Sequence, residues 1–92
     1  MVNRMFEIGF LVKSKDGRDK GRFYVIISKP KNNYVRLIDG NKRCFYNPKL
    51  KKTKHLIALN QEMPTIRKKL LNKQKVFDTE IYSAINKYKE NI

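Results

Sequence analysis

The chain of 92 residues is long enough for one small core and too short to divide into several. Lys and Arg number 22 against 8 Asp and Glu, a net charge of +14, which repels itself in isolation and attracts a polyanion, nucleic acid above all. With 40% hydrophobic and 11% aromatic residues the composition excludes a purely solvated tail, and the single Cys44 excludes an internal disulfide.

The opening MVNRMFEIGF lacks the basic start, long apolar middle and small-residue cleavage site of a secretory signal. The longest apolar run, FYVII, falls far short of the roughly 20 residues that cross a bilayer. The expected location is the cytoplasm. Phe6, Ile8, Phe10 and Val12 alternate with other residues and so share one face of a first strand. FYVII at residues 23–27 is aromatic and β-branched throughout, which predicts a second strand with both faces covered, in a strongly curved sheet or small barrel. Pro30, Asn32 and Asn33 end that run. YVRLID at residues 34–39 predicts a third strand, Asp39-Gly40 a tight hairpin turn, RCFYN at 43–47 a fourth strand, and KHLIAL at 54–59 a short fifth.

The last third changes period. Met63, Ile66 and Leu70 lie three and four apart behind Pro64, predicting a helix over 64–72 that NKQK interrupts. Ile81, Ile85 and Tyr88 form one face of a second helix over 79–89, with Asp78 as its N-cap and Phe77 and Tyr82 as a hydrophobic staple. Charge is unevenly shared: 15 basic and 4 acidic residues up to His55, against 7 and 4 beyond it. The strand region therefore carries the polyanion-binding surface, and the helices serve packing or a partner.

GRDKG at residues 17–21, ahead of the second strand, raises three possibilities. A phosphate-binding loop needs GxxxxGK[ST] or GxGxxG feeding a helix, whereas these glycines are spaced differently and precede a strand. A plain hairpin turn accounts for the glycines. It does not account for a strand glycine, Gly9, on one side and for Lys13, Lys15, Arg18, Lys20 and Arg22 around the tip. GFLVKSKDGRDKGRFYVII at residues 9–27 resembles a KOW motif, the strand-loop-strand element of ribosomal proteins and transcription elongation factors. YVRLIDG at 34–40 and NPKLKKTKHL at 47–56 resemble the corresponding segments of archaeal and eukaryotic large-subunit ribosomal KOW proteins and, more closely, of small bacterial KOW-domain RNA-binding proteins. The helical FDTEIYSAI is a weaker echo. CFY at 44–46 departs from the pattern, where close relatives carry more charge.

Five short strands predict a mainly β fold, a small antiparallel barrel over residues 1–60, with the periodic segments adding a helical extension of two short α-helices over 61–92; the resemblance implies that the barrel of about five strands is SH3-like. It implies RNA binding, usually to ribosomal RNA, with Gly17, Arg18, Asp19, Lys20 and Gly21 as the motif's loop and Lys49, Lys51, Lys54 and His55 as the basic segment before the last strand. Gly17, Asp19 and Gly21 are the structural members of that loop. The physical reading agrees: Lys42, Arg43, Lys49, Lys51, Lys52 and Lys54 meet no acidic residue between them, and cations of this kind read phosphates. Arg18 can alternatively pair with Asp16 or Asp19 and stiffen the turn. Phe45, Tyr46 and Tyr34 are open between core packing and base stacking, and His55 between a phosphate contact and a strand-edge hydrogen bond. One His, one Cys and scattered carboxylates supply no metal cluster or nucleophilic constellation, so no enzyme, metal, cofactor or small-molecule substrate is expected. The expected partner is RNA, ribosomal RNA of the large subunit or its assembly intermediates, with ribosomal proteins beside it. A transcription-elongation-type or other protein-binding KOW module and a double-stranded DNA binder are the rival readings.

Overall fold

The computed structural model describes residues 6–92. Five strands, β1 (Phe10–Ser14), β2 (Phe23–Ile26), β3 (Tyr34–Ile38), β4 (Lys49–Lys52) and β5 (Leu56–Glu62), precede two helices, α1 (Pro64–Leu71) and α2 (Asp78–Glu90). The strands form one antiparallel sheet in the order β4-β3-β2-β1-β5. No ladder joins β4 to β5 among the described residues, so the expected closed barrel is an open sheet.

Alternation along the strands sends side chains to two cores. Val12, Tyr24, Ile26, Val35, Leu37 and Leu56, none more than 6% exposed, form one core with Phe6 packed against it. No helix residue belongs to that cluster, so the sheet must wrap around it. Leu11, Val25 and Ile38 point to the other face and join Met63, Ile66, Val76, Ile81 and Ile85. Both faces of β2 are thus covered, as FYVII implies. The helices complete the second core rather than hang from the first. Isolated helices of 8 and 13 residues are marginal in water, and each buried Ile contributes about 1.5–3 kcal/mol toward holding them.

Curvature is built into the β1–β5 pairing, where Leu11 faces Gln61 but Val12 faces Ala58. The ladder skips Leu59 and Asn60, and Asn60 takes a φ of 53°. At the entry to β1, Gly9 has a φ of 83°, and a Cβ there would lie 2.6 Å from Arg67 Cα on α1. Glycine is required both by conformation and by the closeness of the helix. The Arg67 guanidinium donates to the Ile8 carbonyl across the same junction.

Several expected boundaries move. Phe6 and Ile8 lie before β1 in turn structure, because the chain folds back at Glu7, whose carbonyl accepts from Phe10 N–H at 3.1 Å. RCFYN is not a strand. The Asp39 carboxylate accepts from Asn41 and Arg43 N–H (both 2.9 Å) and the Asn47 side chain accepts from Cys44 N–H at 3.0 Å, so side chains take donors a ladder would use. Asp39-Gly40 accordingly starts a long loop over residues 39–48 instead of a two-residue hairpin, and the fourth strand is KLKK. Lys54 and His55 sit in a 3₁₀ turn (Thr53–His55) ahead of β5. Helix α1 begins at Pro64 as expected and ends with Lys73 left-handed at φ 57°. The N-cap of α2 is Phe77, whose N–H donates to Glu80 Oε1 at 3.2 Å, while Asp78 Oδ1 accepts from Phe45 N–H at 3.0 Å and ties the loop to the helix. Phe77 and Tyr82 both stay exposed, so the staple is not made.

Candidate nucleic-acid interface

The GRDKG loop closes the β1–β2 hairpin. Ser14 N–H donates to Arg22 O at 2.8 Å and Gly21 N–H to Ser14 O at 2.9 Å. Gly21 takes a φ of 87°, yet a Cβ there would meet nothing within 4 Å. Its requirement is conformational alone.

Asp19 turns inward, with 7% of its surface exposed. Its Oδ1 accepts from the Ser14 hydroxyl and from Lys51 Nζ, both at 2.8 Å. Its Oδ2 accepts from the Tyr24 hydroxyl at 3.0 Å and lies 3.3 Å from Lys49 Nζ. Lys51 Nζ also donates to Ser14 Oγ at 2.7 Å and to Asp16 O at 3.0 Å, so all three of its protons have acceptors. Burial pushes the Asp19 carboxyl up, but the hydrogen bonds from Lys51, Ser14 and Tyr24 and the charge of Lys49 outweigh it and hold the group well below the usual carboxylate range. Burial and the same carboxylate push the Tyr24 hydroxyl well above the ordinary tyrosine value.

A second set of contacts joins the loop to the 3₁₀ turn. His55 Nδ1 lies 3.0 Å from Asp16 Oδ2, and that hydrogen bond holds the Asp16 carboxyl below its ordinary value. Lys15 N–H donates to His55 O at 2.8 Å. The two basic segments that the sequence separates by some thirty residues are therefore one surface.

The candidate cations sort into two groups. Lys15, Arg18, Lys20, Arg22, Lys42 and Lys54 are exposed, and none makes an ion pair among the described residues. Arg18 therefore pairs with neither Asp16 nor Asp19. Lys49 and Lys51 are committed to Asp19, with the Lys51 side chain 11% exposed. Lys13 Nζ sits 5.4 Å above the Phe23 ring on the helix side of β1, and Lys52 Nζ 5.5 Å above the Tyr34 ring. Lys42 and Arg43 belong to the 39–48 loop that α2 anchors, with Arg43 half-buried. Phe45 packs against the helical core, whereas Tyr46 is 84% exposed. The Cys44 thiol is buried, and burial, with Asp78 and Asp39 nearby, pushes it up, away from a reactive thiolate.

Residues missing from the sequence-based set cluster on the outer side of β3 and β4. Lys29, Lys31, Arg36 and Leu50 are exposed there beside Tyr34. The alternation of YVRLI placed Tyr34 and Arg36 on one face; nothing in KLKK marked Leu50 as the outward residue. Among the described residues no helix is long and apolar enough to cross a membrane. No protein-family model matches the chain, and no curated protein matches it.

Proposed function

We propose that the protein is a non-catalytic RNA-binding protein that docks on structured RNA, ribosomal RNA of the large subunit or its assembly intermediates, through its basic loops. The observation that carries the reading is the division of charge around GRDKG. The acid at the centre of the loop, Asp19, is buried and spent on Lys49 and Lys51, and the exposed Asp16 is hydrogen-bonded to His55, while Lys15, Arg18, Lys20, Arg22 and Lys54 face outward and form no ion pair among the described residues. A rigid loop carrying unpaired cations suits the phosphates of a folded RNA, where shape and charge dominate. The KOW resemblance of residues 9–56 supports the ribosomal assignment, and an SH3-like description of the curled sheet rests on it. Cytoplasmic, ribosome-associated placement follows from the same reading.

The test is sedimentation of the tagged protein at two salt concentrations, with crosslinked RNA sequenced from the ribosomal fractions. Six phosphate contacts correspond to a loss of about 10³-fold in affinity between 50 and 200 mM salt. Reversal of Arg18, Lys20 and Arg22 to Glu abolishes comigration with large subunits. Binding insensitive to salt and to these reversals rejects the proposal, and equal affinity for duplex DNA returns the DNA-binding reading. A protein-docking module is the second reading. It draws on an apolar groove of about 630 Å³ between the start of α1 and the end of α2, lined by Met63, Pro64, Ile66, Ala84, Tyr88 and Ile92. A partner retained by the loop-reversal variant would favour it.

A further inference from the structure

The outer face of β3 and β4 carries a block of side chains that the loop surface does not use. Tyr34 pairs across the ladder with Lys52, and Arg36 with Leu50. Their neighbours Val35 and Leu37 are fully buried on the opposite face, so these four project outward. Tyr34 is 37% exposed and Leu50 61%. Beside them lies a cavity of about 450 Å³ lined by Ser28, Lys29, Lys31, Asn32, Tyr34, Arg36 and Leu50, with no acidic residue among them.

The turn that frames this cavity is rigid. Lys31 and Tyr34 exchange two backbone hydrogen bonds of 2.9 Å, and Asn32 and Asn33 between them take φ values of 52° and 67°, the geometry of a type I′ turn. Asn33 O accepts from Thr53 N–H at 2.8 Å and Ser28 Oγ from Arg36 N–H at 3.0 Å, so both ends of the cavity are fixed to the sheet. An aromatic ring and a leucine are thus held at the surface inside a ring of cations.

We propose that this face stacks one unpaired nucleobase of the bound RNA on Tyr34 and Leu50, with the flanking phosphates held by Lys29, Lys31 and Arg36. The proposal rests on the RNA-binding reading and deepens it. Charge decides the occupant: an apolar protein segment would bring nothing to neutralise Lys29, Lys31, Arg36 and Lys52, whereas a single strand carries a flat apolar face and a phosphate on each side. Duplex RNA does not fit the same surface, because its base faces are already stacked.

The chain contains no tryptophan, so Tyr34→Trp places in the cavity a single tryptophan, excited selectively over the four remaining tyrosines. Titration with oligouridine, with a stem-loop and with a blunt duplex of the same stem separates the possibilities. Oligouridine and the stem-loop should quench the emission and the duplex should not. Tyr34→Ala should weaken stem-loop binding about tenfold, the scale of one lost stacked base, with duplex affinity and the urea midpoint unchanged. If the stem-loop binds without quenching and Tyr34→Ala is neutral, the stacking site is refuted while the loop interface stands. If neither RNA binds and an acidic peptide instead quenches the fluorophore, both the site and the RNA reading fall.

Discussion

The sequence ranks Lys51 with the RNA-binding lysines; its geometry makes it part of the fold, and replacement separates the two roles. Asp19→Ala removes the acceptor of the Ser14 hydroxyl, the Tyr24 hydroxyl and Lys51 Nζ at once, leaving Tyr24, 2% exposed, and Lys51 without their main partner. Removal of one member of a buried ion pair costs about 3–5 kcal/mol. Lys51→Met keeps the aliphatic stem and leaves Asp19 with Lys49, Ser14 and Tyr24, so its cost is smaller, about 2 kcal/mol. Against a total stability of about 5–15 kcal/mol these are large fractions, and at an m of about 2 kcal/mol/M in urea they correspond to midpoint shifts of roughly 1 M for Lys51→Met and 1.5–2.5 M for Asp19→Ala. The assay is urea unfolding followed by circular dichroism for both single variants and the double, with RNA affinity measured under conditions where each variant is folded. The double variant should cost clearly less than the sum, because the pair is coupled. A loss under about 1 kcal/mol for Asp19→Ala, or a Lys51→Met protein with unchanged midpoint and weakened RNA binding, would refute the reasoning.

Acid should reproduce part of that effect. The folded pKa of Asp19 is depressed, so its contribution is fully present above the unfolded carboxylate range near 4 and is lost as pH falls below it toward the folded value; Asp19→Ala should flatten the acid limb of a stability-pH curve relative to the parent. The glycines divide by space: Gly21→Ala meets no atom and should cost only about 1 kcal/mol for its positive φ, whereas Gly9→Ala must also displace Arg67 and should cost at least about 3 kcal/mol in thermal or urea unfolding. Equal losses at the two positions would mean that α1 yields freely to the sheet.

Most strands were legible because their side chains are apolar on the faces that need covering. Tyr24, Val25 and Ile26 are all buried, and Met63, Ile66, Ile81 and Ile85 occupy the predicted helix faces. Errors fell where local side-chain acceptors compete with pairing. RCFYN follows a turn signal and is rich in strand-forming aromatics, yet Asp39 and Asn47 claim its N–H groups. KLKK has no apolar pattern, and it is a strand because Tyr34, Val35, Arg36 and Leu37 pair with it residue for residue. The loop surface was legible as composition but not as geometry. Clustering of cations identified the segments; only the fold shows which cations they spend on each other.

The orientation of β4 follows from that expenditure. Hydrophobic patterning alone would turn Leu50 inward and Lys49 and Lys51 outward, since a buried ammonium is costly and a buried leucine is not. The reverse is found, with Leu50 61% exposed and Lys51 nearly covered. Asp19 supplies the reason. A carboxylate folded under its own hairpin loop must meet cations, and β4 is the strand that brings them, through alternate residues that share one face. The register that satisfies Asp19 then forces Leu50 and Lys52 to the other face, beside Arg36 and Tyr34. One buried aspartate thereby ties down the basic loop, removes its own negative charge from the surface proposed to meet RNA, and exposes the leucine of the proposed stacking site. In that account the loop interface and the β3–β4 face are two consequences of a single register.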